Sequence, residues 1–250
     1  MSTSGINTQP YSHTLLAETS QPSAPADRTQ LPAVNADTPP GNVSSVTTFV
    51  SSLARQLSGA AAQAEARDAS LTLGQKRNLV DKAQDMLLGA SYNANKAAYD
   101  KELPASDDPY ALDLAKRATQ YTNGSGKNPF SGLSRDKLAV IAYDESGTFT
   151  ANERRAAMYE AYDQEYAWRK QVVAEAQAEY NSTGKMTHFF QSVLEHYQSL
   201  PALEQSQYPN DYAQGLKNLI DQDFNYKTHQ AEGKANYSTI INDVLAFRNK

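Results

Sequence analysis

From Val43 to the end of the chain the apolar residues recur at three- and four-residue spacing, and no stretch alternates apolar with polar long enough to make a strand. That pattern confines the chain to helices packed on helices. Val46, Phe49, Val50, Leu53 and Leu57 share one face of a first helix, which the alanine-rich stretch 60–69 continues past Gly59. Thr72-Leu73-Gly74-Gln75 has capping-box spacing, so a second helix starts there, buries Leu79, Val80, Ala83, Met86 and Leu87, and stops near Gly89. A weaker helix over 90–102 ends at Pro104. Asp108-Pro109 opens the next: Asp caps the free amides, and Pro takes the first helical position, where its missing N–H is harmless. Ser134 starts a short helix carrying Leu138, Ile141 and Ala142, and Thr150-Ala151-Asn152-Glu153, a second capping box, opens the longest, which runs to about Tyr180. Further helices are expected over 186–200, within 209–233 and over 237–247. The expected fold is all-α, a bundle of about seven to nine helices with no sheet, and the Gly-rich loop at 124–132 is the expected place for a subdivision.

Residues 1–42 follow different rules. They hold six of the 11 prolines, many Ser and Thr, and four charged side chains, too little apolar area to offset roughly 1–2 kcal/mol of backbone entropy per residue. The reading is a disordered leader before a helical domain at 43–250. In composition the leader is similar to the N-termini of bacterial type III secretion substrates. No Lys or Arg precedes Arg28 and no apolar h-region follows, so a cleavable Sec signal is not expected; the chain is expected in the cytoplasm or exported by another route. No run approaches the roughly 20 apolar residues a membrane span needs. A net charge of −5 without a basic cluster argues against nucleic acid, and zero cysteines remove disulfides, thiolate catalysis and zinc knuckles together.

The segment Leu138 to Tyr159, LAVIAYDESGTFTANERRAAMY, reads as helix, tight turn, helix. With Gly147 at the sixth position it resembles an EF-hand loop. Asp144 then falls at position 3, Ser146 at 5, Thr148 at 7, Phe149 at 8, Thr150 at 9 and Glu153 at 12, while position 1 is Ala142 rather than Asp. The resemblance implies weak calcium binding by Asp144, Ser146, Thr148, Thr150 and Glu153. The same residues also read as a bend at Gly147 followed by a capping box, which accounts for Glu153 without a metal. The wider block, from Asn128 through YDESGTFTANERRAA, resembles a segment of uncharacterised bacterial proteins, a resemblance that implies no activity. Gly126-Lys127 lacks the Ser or Thr and the preceding strand of a phosphate loop.

On the longest helix Tyr159, Tyr162 and Tyr166 stand at i, i+3 and i+7, with Val173, Ala176 and Tyr180 further along and Trp168, Arg169 and Arg155 beside them. Such a stripe is either core or a surface for a protein partner, because Tyr, Trp and Arg anchor interfaces. Arg169 interrupts the seam, which speaks against a dimeric coiled coil. His188, Glu195 and His196 share a helix without HExxH spacing, and His229 follows Asp221 and Asp223. No nucleophile motif accompanies them. The expected function is a non-enzymatic helical interaction module, an exported bacterial effector or adaptor. Two alternatives stay open: a calcium-binding helix–loop–helix protein, and a hydrolase whose groups meet only in three dimensions.

Overall fold

The computed structural model describes residues 40–233, with side chains from Ser52 onward. The leader and the helix expected over 237–247 lie outside the described residues. Within them the helices are α1 (Pro40–Ser70), α2 (Leu73–Leu88), α3 (Ala90–Tyr99), α4 (Pro109–Thr122), α5 (Arg135–Ala142), α6 (Ala151–Thr183), α7 (Thr187–Ser199), α8 (Ala202–Gln205) and α9 (Tyr212–Gln222). The fold is all-α. Its one departure from pure helix is a hairpin of two-residue strands, β1 (Phe224–Asn225) and β2 (Gln230–Ala231), which pair antiparallel. The cause is local: Asp223 (φ +44°) ends α9 in the left-handed region, and His229 (φ +58°) helps close the turn between the strands.

The caps do what their side chains allow. Thr72 accepts from Gln75 N while Thr72 N donates to Gln75 Oε1 at 2.8 Å, and Asp108 Oδ1 accepts from Tyr110 N at 3.0 Å behind Pro109. Ser134 stands at the start of α5 but makes no side-chain cap bond. α6 runs three residues past Tyr180, and its last hydroxyls bond back along the helix, Ser182 Oγ to Ala178 O (2.9 Å) and Thr183 Oγ1 to Glu179 O (2.8 Å). Gly184, at φ +80°, then terminates it.

α6 organises the molecule. In its first third Ala156 and Ala157 are fully buried, and side chains this small let α4 and α5 pack against the helix. The core that results joins Leu57, Val80, Leu87, Leu114, Phe130, Leu138, Ile141 and Phe149. The loop at 124–132 is tied to α6. Asn128 Nδ2 donates to Ala156 O (2.8 Å), Gly132 N donates to Glu160 Oε1 (3.1 Å), and Phe130 is fully buried. The distal part of α6 packs on α7, and α7 on α9. Arg77 of α2 reaches the same region, donating through Nη2 to Tyr208 O at 2.8 Å.

Candidate functional site

The α5–α6 turn holds its five EF-hand-like residues by bonds among themselves. Asp144 Oδ1 accepts from Ser146 N (3.1 Å) and Ser146 Oγ (2.6 Å), and its Oδ2 accepts from Phe149 N (3.1 Å). Ser146 Oγ and Thr148 Oγ1 lie 2.8 Å apart. Glu153 Oε2 accepts from both Thr150 N and Thr150 Oγ1 at 2.8 Å, while its Oε1 is buried with no hydrogen-bond partner among the described residues. Burial pushes the Glu153 carboxyl up to about 7, against the pull of the Thr150 bonds and with help from Glu102 and Asp144. Arg154, itself largely desolvated, donates from Nε to Ala142 O (3.2 Å) and lies within electrostatic reach of Asp144, Glu145 and Glu102. A cation of the protein's own therefore balances this acidic turn. Calcium would have to displace these internal bonds, and among the described residues no three His, Asp or Glu converge as a metal site.

The five residues expected at a partner surface separate into three environments. Tyr159 turns inward: it meets the Tyr121 ring edge-on at 6.3 Å and takes a hydrogen bond from Arg155, whose guanidinium also lies 3.7 Å over the Tyr92 ring. Trp168 stacks on His196 of α7, centroids 3.6 Å apart and planes 10° from parallel. Tyr162 and Tyr166 stay on the surface, 45% and 65% exposed, with the Arg169 side chain 64% exposed beside them. Val173 (61%) and Tyr180 (40%) continue the line. At 3.6 residues per turn these four apolar side chains fall within roughly 40° of one another over roughly 27 Å of helix.

Sequence reasoning had no hold on a third constellation, where α5, α6, α7 and α8 meet. Arg135 Nε donates to Glu204 Oε2 at 2.8 Å, and its Nη1 donates to Ala161 O at 2.7 Å and lies 3.7 Å from Glu165 Oε2. Glu165 takes Arg169 Nε at 2.9 Å and pairs with His196 Nε2 at 2.8 Å. Burial raises Glu204, an effect that the paired Arg135 opposes without cancelling. Burial would raise Glu165 too, but the hydrogen bonds from His196 and Arg169 outweigh it and hold that carboxyl below its usual range. Of the histidines and carboxylates singled out in the sequence only His196 joins this cluster. His188 is exposed beside Glu179 (3.2 Å), Glu195 is exposed, and Asp223 pairs with Lys185 at the hairpin.

Glu165 and His196 form a carboxylate-oriented imidazole, the arrangement a general base needs. Among the described residues no Ser or Thr hydroxyl bonds to that ring. No helix among the described residues is long and apolar enough to cross a membrane. Compared with protein-family models, with curated proteins and with solved structures, the chain matches none.

Proposed function

We propose that this protein is a helical interaction module that receives an amphipathic helix of a partner protein along the exposed face of α6. The observation that carries the reading is the alignment of Tyr162, Tyr166, Val173 and Tyr180, four large apolar side chains left in solvent on one line of one helix. Scattered exposed apolar residues are ordinary, whereas a contiguous line of them marks a contact surface. Charge indicates what kind of helix fits. Lys170 Nζ lies 5.6 Å from the Tyr166 ring and Lys227 Nζ 5.7 Å from the Tyr180 ring, so cations border the middle and the far end of the line. A partner helix with an apolar stripe and acidic neighbours matches that border.

Photo-crosslinking in cells tests this, with a benzoyl-phenylalanine placed at Tyr166 or Val173 of the full chain and at the exposed Lys116 of α4 as control. The same protein should be captured from both α6 positions and not from position 116, and Tyr162→Lys should abolish the adduct. Equal labelling at all three positions, or none, would end the proposal, and an adduct with a second copy would replace it by self-association. The narrower reading, an exported effector or adaptor, is supported by the Ser-, Thr- and Pro-rich composition of residues 1–42, with no Lys or Arg before Arg28. A reporter fused to those residues, retained in the cell by every secretion system tried, would remove it.

A further inference from the structure

Between α1 and α5 the surface holds an apolar groove of about 500 Å³. Leu53, Leu57 and Ala61 of α1 line one wall, and Val140 of α5 with Leu133 just before it lines the other. Leu53, Leu133 and Val140 are only half-buried, each packed by one side on the core to which Leu57 and Leu138 belong. An apolar surface of this kind marks a place of contact, and the two charges in its α5 wall say with what. Asp136 and Lys137 stand exposed there and make no ion pair among the described residues. Asp136 lies instead within electrostatic reach of Glu204, a charge of its own sign.

Both walls read alike in the two directions. Leu133, Asp136, Lys137 and Val140 are placed symmetrically about the midpoint between 136 and 137, and Ala54, Leu57, Ser58 and Ala61 about the midpoint between 57 and 58. We infer that the groove is the interface of a homodimer whose two-fold axis runs across it through both midpoints, laying α1 antiparallel on the second copy's α1 and α5 antiparallel on its α5. Leu133 then meets Val140 of the second copy, Ala54 meets Ala61, and each Asp136 meets a Lys137. An isologous contact requires such a self-complementary patch. A foreign helix of either charge would satisfy one of the two rim residues and oppose the other, whereas a second copy satisfies both. The four helices close into a bundle around Leu53, Leu57, Leu133 and Val140, and the small Ala54, Ser58 and Ala61 let the two α1 axes come to the roughly 8–10 Å of packed helices. None of the four exposed side chains on α6 lines the groove, so the inference does not depend on the α6 reading.

Analytical ultracentrifugation of the full chain over a concentration series tests this. The parent should sediment as a concentration-dependent dimer. Asp136→Lys and Lys137→Asp change exposed side chains, so both variants should fold. Each should weaken dimerisation about tenfold or more, because like charges then face each other, and an equimolar mixture of the two should regain it as a heterodimer. The chain has no cysteine of its own, so Ser58→Cys, next to the axis, should oxidise to a disulfide-linked dimer while Lys116→Cys on α4 should not. A monomer at every concentration, a dimer indifferent to both charge variants, or a mixture no tighter than its components would overturn the inference.

Discussion

Glu153 shows how one carboxyl can serve a helix start and make the protein sensitive to pH. Its pKa, raised from 4.5 to about 7, means that the folded state holds the proton more tightly than the unfolded chain does. The stabilisation is therefore complete below pH 4.5 and disappears as pH rises through 7, a difference of ~3 kcal/mol across that window. Urea unfolding of the parent and of Glu153→Gln at intervals from pH 5 to 8 isolates it. The parent should lose stability with rising pH relative to the variant, and parallel curves would show that Glu153 does not carry the effect. Asn152, its neighbour, is also fully buried but fully satisfied, taking Tyr92 OH at 2.6 Å and donating to Tyr99 O and Thr119 Oγ1. Adjacent polar residues thus meet opposite fates, one completed by partners from α3 and α4 and one left with a bare oxygen.

At the scale of single helices, the two capping boxes have the same chemistry in different surroundings. Thr72 lies at the surface, whereas Thr150 is buried and supplies two donors to Glu153. Thr72→Ala should cost about 1 kcal/mol and Thr150→Ala about 2 kcal/mol or more, since the second also removes one of the two donors to a buried carboxylate oxygen. Chemical denaturation of the two variants side by side checks the order. These starts were legible in the sequence because a cap is a local event within four residues. The line Tyr162, Tyr166, Val173, Tyr180 was legible as a spacing, but spacing alone does not say which side of a helix meets the core. Tyr159 shares the pattern and goes inward, because Tyr121 and Arg155 wait there. The ion cluster was not legible at all: Arg135 and Glu204 are 69 residues apart, and Glu165 and His196 are 31 apart. Only packing brings such pairs together, and no local propensity records it.

Across the whole molecule, Arg135 is the residue on which the two packing regions depend jointly, since it bonds α8 through Glu204 and α6 through Ala161 O. Arg135→Met would leave the buried Glu204 carboxylate without its cation and should cost ~3–5 kcal/mol, while Arg135→Met with Glu204→Gln should recover a large part of it. Thermal unfolding of the single and double variants decides; equal losses in both would mean that packing rather than charge is at stake. α6 itself passes from the alanine-lined core under α4 and α5 to a stretch sheltered on one side only, by α7. One continuous rod thus has unequal cover along its length. Amide protons near Ala156 and Ala157 must wait for the entire protein to open before water can exchange them, whereas those beyond Val173 are released whenever the far end frays. A bound partner would lengthen only the second interval, so the helix reports occupancy of its outer end without disturbing its root.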